Sequence, residues 1–313
     1  MNTGLITHLA CLGHQTPPGH PEAADRLRAV LHALEHEDFQ YLVRHEAGAA
    51  SREALVRAHA PALVGKVLGP LAKEAARDGY VHIDADTVMS AGSAEAALRA
   101  AGAVVDAVDL VMEGAMQNAF CAVRPPGHHA ERSRAMGFCL FNNVVVGALH
   151  ARAAHGLRRV AVIDFDVHHG NGTQDLAFAD PDFFYASTHQ SPLYPGTGGA
   201  DERGLGGNVV NVPLPPGAGG AAFRAALGGR VLPALEAARP EFVFISAGFD
   251  AHRADPLAEL CLDESDYAWA TAEICTLAGR LCEGRVVSTL EGGYDLAALA
   301  RSASAHVRAL MEA

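Results

Sequence analysis

Basic charge is scarce in this chain of 313 residues: 24 Lys and Arg stand against 36 Asp and Glu, a formal charge of -12. A nucleic-acid binder needs a basic footprint to displace counterions, so direct nucleic-acid binding is not expected. An acidic surface instead favours the approach of cationic, lysine-rich peptides through the long-range field. The six cysteines form no paired-spacing motif, which removes closed structural zinc sites and disulfide frameworks and leaves Cys121 and Cys139 as reduced core residues. No apolar run is long enough to span a bilayer, so no membrane partner is expected. The first residues lack a basic region followed by a signal-peptide core, and the expected location is cytoplasmic. No Pro/Ser-rich linker, charge block or internal repeat divides the sequence, so residues 1–313 are expected to form a single domain around a large core, with hydrophobic residues at 50%.

What is present is a series of apolar strands ending in chemistry. Val160-Ala-Val-Ile163 runs into Asp164-Phe-Asp-Val-His-His-Gly-Asn-Gly-Thr173. Alternation along an extended chain places Asp164, Asp166 and His168 on one face. Carboxylate and imidazole donors suit a divalent zinc, iron or manganese ion, and ionised acids ending an apolar strand need such partners. A second strand, Glu241-Phe-Val-Phe-Ile-Ser-Ala-Gly-Phe-Asp250, ends in another acid that can complete an Asp, His, Asp ligand set, and three protein ligands leave a position open for water. Arg124-Pro-Pro-Gly-His128-His129 sets two imidazoles, with ordinary pKa near about 6.5, on a rigid turn suited to proton transfer. Val286-Val-Ser-Thr-Leu-Glu-Gly-Gly-Tyr294 presents a phenol able to donate to an oxyanion.

Strand candidates at 118–123, 159–163, 183–187, 209–212, 242–246 and 286–290 alternate with helix candidates. One helix carries Leu98, Ala101, Val105, Val108 and Met112 at helical spacing, with Ser93 as its expected N-cap. Others are expected at 221–238, 265–282 and 295–311. This is the pattern of a parallel sheet covered on both faces, with chemistry at the carboxyl ends of its strands.

In order and spacing, these motifs resemble the zinc-dependent histone deacetylase family in its class II-like bacterial branch. The resemblance runs from His20-Pro-Glu22 and Arg26 through the His pair, Gly137-Phe-Cys139, Asn142-Asn143, the 164–173 run, Tyr194-Pro-Gly-Thr-Gly198 and Ser246-Ala-Gly-Phe-Asp-Ala-His252 to Glu291-Gly-Gly-Tyr294. It implies a three-layer α/β/α domain with a central, mostly parallel eight-stranded sheet, the arginase-deacetylase fold. It further implies an amidohydrolase of N-acetyl-lysine, with small acylated amines such as acetylpolyamines or an acetoin-pathway metabolite as the alternative substrate class.

Carried over by position, the zinc ligands are Asp166, His168 and Asp250. His128 and His129 are the catalytic imidazoles, His129 acting as base, and Tyr294 polarises the scissile carbonyl. Asp164 orients His128, and Asn171 partners His129, where an amide in place of a carboxylate leaves the imidazole more readily neutral. A structural potassium is implied at Asp164, Ser187 and the carbonyls of Asp166, His168 and Thr188, and a second at carbonyls near Ala177, Asp180 and Phe183. Phe138 and Tyr194 match the walls of a narrow channel, with Gly137, Gly292 and Gly293 along it. Leu257 stands at the rim where polyamine-specific relatives carry an acid, which favours acyl-lysine. Asp84 and Asp86 are both candidates for gripping the substrate backbone. The resemblance leaves the oligomeric state open, a homo-oligomer included. His252 replaces the acid that completes a two-metal centre in arginase relatives. Pro195-Gly-Thr-Gly-Gly199 lacks the Lys-Ser/Thr of a phosphate cradle, and Ser246 lacks the Gly-x-Ser-x-Gly elbow of a serine hydrolase.

Overall fold

Ten strands form in the computed structural model, which describes residues 2–313. They are β1 (Thr3–Thr7), β2 (Val43–Glu46), β3 (Tyr80–His82), β4 (Val88–Ser90), β5 (Asn118–Cys121), β6 (Val160–Asp164), β7 (Phe183–Gln190), β8 (Val209–Leu214), β9 (Phe242–Ala247) and β10 (Val286–Leu290). Eight of them make one sheet in the order β2-β1-β5-β10-β9-β6-β7-β8, and every pairing in it is parallel. The remaining two, β3 and β4, pair as a small antiparallel ribbon.

Strands β5, β6, β9 and β10 are buried at every position. Their runs Val-Ala-Val-Ile, Phe-Val-Phe-Ile and Val-Val lack polar alternation because helices cover both faces. One helical group comprises Ser93–Met112 and Asn143–His155; the other comprises Ala24–Ala33, Glu264–Cys282 and Leu296–Met311. Side-chain caps fix the starts of several of these helices. Asp263 and Asp266 form a reciprocal capping box, Asn142 accepts from Val145 N–H, and Asp295, directly after Tyr294, accepts from Ala298 N–H.

Two local expectations are corrected. Gly92, not Ser93, occupies the N-cap of Ser93–Met112, because the Ser93 hydroxyl is taken by Ser90 N–H and the His14 ring. The helix expected over 221–238 contains a π-helical turn at Leu227–Val231, where Gly228 and Gly229 offer no side-chain packing to hold the regular α-helical ladder. The N-terminal strands β1 and β2 and the helix Ala24–Ala33 lie outside the local pattern; short, mixed segments carry little periodicity.

Parallel strands all end on one edge of the sheet. The adjacent central strands β5, β10, β9 and β6 therefore deliver their following loops to one place. Those loops contain Arg124 to His129, Glu291 to Tyr294, Asp250, and Phe165 to His168, directly after Asp164 at the end of β6.

Candidate metal-dependent active site

Asp166, His168 and Asp250 converge as a buried triad whose ligand atoms all lie within 4.8 Å of one another. His168 Nδ1 is 3.0 Å from Asp166 Oδ1 and 3.1 Å from Asp250 Oδ2. Burial alone would lower the His168 imidazole, but the two carboxylates outweigh it and raise it to about 10. Backbone N–H groups steady the acids: Val167 donates to Asp250 Oδ1, His168 to Asp166 Oδ1, and Gly292 to Asp166 Oδ2. Gly292 must be glycine for this approach, since a Cβ there would meet Asp250 Oδ2 at 2.0 Å. Two buried carboxylates facing one ring nitrogen, with no described Lys or Arg donating to either acid, fit a borderline divalent cation such as zinc.

The His pair lies against this triad. His128 Nδ1 is 3.0 Å from Asp164 Oδ2, and its Nε2 is 3.8 Å from Asp166 Oδ2. Burial opposes its charge, but Asp166 and Asp164 overcome that and hold it well above the ordinary histidine range. His129 goes the other way: burial, then the charges of His128 and His168, push it well below. Its Nδ1 meets Asn171 Oδ1 at 2.8 Å, and Asn171 Nδ2 in turn donates to Glu131 Oε1. The same fold thus shifts two neighbouring imidazoles in opposite directions, with ring centroids 4.0 Å apart.

Glu291, absent from the sequence-level site, clamps the His turn. Its Oε2 accepts from Gly127 and His128 N–H at 2.6 and 3.1 Å, and Ser246 donates to Oε1. Burial, only partly offset by His128, raises its carboxyl to about 7.

Tyr294 is held from below by a buried ion cluster. The Arg26 guanidinium stacks 4.7 Å from its ring centroid and donates to the carbonyls of Gly293 and Glu291. Glu22 joins Arg26 to Arg124, which also donates to the carbonyls of Cys11 and His14. Asp255 accepts from Tyr294 N–H at 2.7 Å. The motif matches include Glu22, Arg26 and Arg124 without a role; only tertiary placement reveals that a charged core supports the phenol. Gly292 and Gly293, expected along the substrate path, are anchored through the Gly292 N–H to Asp166 and the Gly293 carbonyl to Arg26.

At the mouth, Phe138 packs edge-on to Tyr294 and to His20, and Tyr194 packs edge-on to His129 and His168. Gly137 has φ +58°, and a Cβ there would enter the His129 ring at 2.5 Å. Asp84 Oδ1 is occupied by Asp86 and Thr87 N–H, whereas Asp86 receives only the Thr87 hydroxyl. Leu257 is exposed at the rim. His252 is turned away, its Nδ1 accepting from Ala254 N–H and its Nε2 3.5 Å from Glu264.

Ser187 lies beside Asp164 in the β6–β7 register, its hydroxyl bonded to His189. No described donor reaches the carbonyls of Asp166 and His168; at Thr188, where the carbonyl was expected to serve, it is the side-chain Oγ1 that is buried without a partner. Acceptors left free in this way fit a monovalent cation beside Asp164. The second expected cradle differs. The carbonyls of Ala177, Asp180 and Phe183 do converge, but on the Asn208 side-chain Nδ2, at 2.9, 2.9 and 2.7 Å. Gly206 N–H donates to Asn208 Oδ1, which fixes the amide's orientation, so the donor group stands where a cation was expected.

The histone deacetylase domain model matches residues 20–310. Histone deacetylase 14, chloroplastic, of Arabidopsis thaliana is 39% identical over 96% of this chain and 75% of its own length. A probable deacetylase of Methanothermobacter thermautotrophicus is 42% identical, covering 98% and 90%. The crystal structure of the HDA15 HD domain superposes with a TM-score of 0.93 at 37% identity, covering 99% of this chain and 88% of that one. None of the described helices is long and apolar enough to cross a membrane. With that match across nearly its whole length and an eight-stranded sheet of the same fold, the chain belongs to the histone deacetylase family and is a hydrolase acting on amide bonds.

Proposed function

We propose that residues 1–313 form one zinc-dependent catalytic domain that hydrolyses the side-chain amide of N-acetyl-lysine in a protein or peptide. The observation that carries this reading is the convergence of Asp166, His168 and Asp250 beside the His128–His129 pair, whose imidazoles are shifted in opposite directions, and the Tyr294 phenol. Zinc at that triad supplies Lewis acidity and makes the attacking water easier to deprotonate.

The chain's own groups then divide the work. Neutral His129 accepts the water proton at Nε2, its Nδ1 being committed to Asn171. The water oxygen bonds to the acyl carbon, and the acyl oxygen takes up negative charge. Tyr294, whose phenol is kept protonated by burial despite Arg26, donates to that oxygen. His128, which Asp166 and Asp164 favour in its protonated form, is assigned to stabilise the same developing charge. The proton on His129 passes to the amine as the C–N bond breaks, giving acetate and free lysine.

Phe138 and Tyr194 suit the methylene stem of lysine, and Asp84 and Asp86, each with one carboxylate oxygen that no described donor reaches, are the two candidates for the substrate backbone amide. Leu257 offers no charge to a second ammonium group, which favours acyl-lysine over acetylpolyamines. One potassium is proposed at Asp164, Ser187 and the carbonyls of Asp166, His168 and Thr188. The test is a panel of acetyl-lysine peptides, longer acyl-lysines and acetylpolyamines on the zinc-loaded enzyme. Acetyl-lysine peptides should be preferred; a strong polyamine preference overturns the substrate assignment, and no amide hydrolysis at all overturns the reading.

A further inference from the structure

We propose a second divalent-metal site, formed by Asp109, His150 and His155 and separate from the catalytic triad. Asp109 lies near the carboxyl end of the helix Ser93–Met112, and the two histidines lie on the neighbouring helix Asn143–His155. The Nε2 atoms of both imidazoles point at one oxygen, Asp109 Oδ1, at 2.8 and 2.7 Å. All three ligand atoms lie within 4.8 Å of one another. Tetrahedral zinc with bonds of about 2.0–2.2 Å separates its ligands by roughly 3.3 Å, so small outward shifts of the two rings admit the ion.

The three side chains are neither sealed nor free. Their exposures are 39% for Asp109, 14% for His150 and 21% for His155, enough for an ion to enter and little enough to hold the rings in place. The two imidazoles both use Oδ1, and no described residue donates to Oδ2. Two nitrogens and one carboxylate oxygen select zinc, cobalt, nickel or copper over magnesium and calcium, which take oxygen donors.

The site is remote from the chemistry. The helix that carries the histidines begins at Asn143, whose amide donates to the Pro125 carbonyl beside the catalytic His turn. His155 is 12 residues further on, about 18 Å along the axis. It precedes the amino end of β6, whereas the catalytic groups gather at the carboxyl ends. A bound ion here ties two helices together and leaves the active site untouched.

An unpartnered ring nitrogen limits the affinity. His150 Nδ1 is buried without a hydrogen-bond partner, and metal-bound imidazoles lacking that outer partner bind about 10–100-fold more weakly. The second site should therefore fill after the catalytic triad.

Cobalt titration of the metal-stripped, full-length protein, followed by visible absorption and bound-metal analysis, tests the assignment. The wild type should bind two equivalents in two affinity classes. His150→Ala/His155→Ala should lose the weaker class and keep the tighter one, while Asp166→Ala should do the reverse. His155→Gln, whose amide can still bond Asp109, should weaken the second class by more than about tenfold with an unchanged circular dichroism spectrum. The expected weaker class should also be unaffected by excess magnesium. One bound equivalent in the wild type that Asp166→Ala abolishes and His150→Ala/His155→Ala leaves intact, or two equivalents surviving in both histidine variants, overturns the second site. One bound equivalent that His150→Ala/His155→Ala abolishes and Asp166→Ala leaves intact would instead count against the proposed catalytic centre.

Discussion

Replacing the neutral partner of His129 by a charged one tests the division of labour between the two imidazoles. Asn171 Oδ1 lies 2.8 Å from His129 Nδ1, so Asn171→Asp brings a full negative charge within about 4 Å of the centre of an imidazolium, where the attraction at an effective dielectric constant of about 20 is roughly 4 kcal/mol. One pKa unit corresponds to about 1.36 kcal/mol, which sets an upper bound near about three units. Glu131 Oε1 already sits 2.7 Å from Asn171 Nδ2, and its charge would push the new acid toward its neutral form. The substitution therefore belongs in a Glu131→Gln background, where the amide introduced at position 131 can donate to the new carboxylate, and the Glu131→Gln single variant is the reference. An upward shift of about 1–3 units in His129 is expected. Since the base must be neutral to take the water proton, the acid limb of kcat/KM against pH should move up by the same amount, with the high-pH plateau largely kept. The assay is acetate release from an acetyl-lysine peptide between about pH 5 and 9. An unmoved acid limb in a variant that folds and binds metal normally would refute His129 as the base.

Other substitutions separate the remaining roles. Tyr294→Phe should retain metal and lose about 10²–10³-fold in kcat, the usual loss of one oxyanion donor; full turnover removes the phenol from the reaction. Asn208→Ala leaves the Ala177, Asp180 and Phe183 carbonyls without their donor and should cost about 1–3 kcal/mol. Its thermal midpoint should then rise with potassium more steeply than that of the wild type, and equal potassium dependence would contradict the view that the amide fills a cation's place. His306, buried between Thr271 and Ser288, is pushed down to about 3 by burial. The unfolded chain therefore binds a proton below about pH 6.5 that the folded chain refuses until near pH 3, so stability falls as pH drops through that window. From about pH 7 to about 5.5 the loss is about 1 kcal/mol, and denaturant curves of His306→Gln should lack that increment.

How much of this was legible beforehand depended on the range of the interaction. The strands ending at Asp164, Asp250 and Tyr294 announce themselves because burial on both faces leaves unbroken apolar runs followed by acids or a Gly pair. The convergence of Asp166, His168 and Asp250 rests on β6 and β9 being neighbours, which the resemblance supplied and local pattern did not. Glu291 and Asp255 went unrecognised because their partners are backbone N–H groups of Gly127, His128 and Tyr294, and such bonds leave no mark on spacing. Ser93 misled as a cap because a distant His14 and the adjacent Ser90 claim its hydroxyl. Asp84 and Asp86 both stay candidates, since each keeps one carboxylate oxygen that no described donor reaches. Asn208 displays the limit most clearly: three carbonyls define a cradle, but which group enters it depends on one side chain 25 residues or more along the chain.

The central claim is that Asp166, His168 and Asp250 together hold the ion on which amide hydrolysis depends. Metal-stripped protein should release no acetate from an acetyl-lysine peptide and should recover activity as the first equivalent of zinc binds, whereas Asp166→Ala and Asp250→Ala should lose both that tight equivalent and turnover. Full hydrolysis by the stripped protein, or tight zinc binding and activity surviving in both variants, would contradict the account.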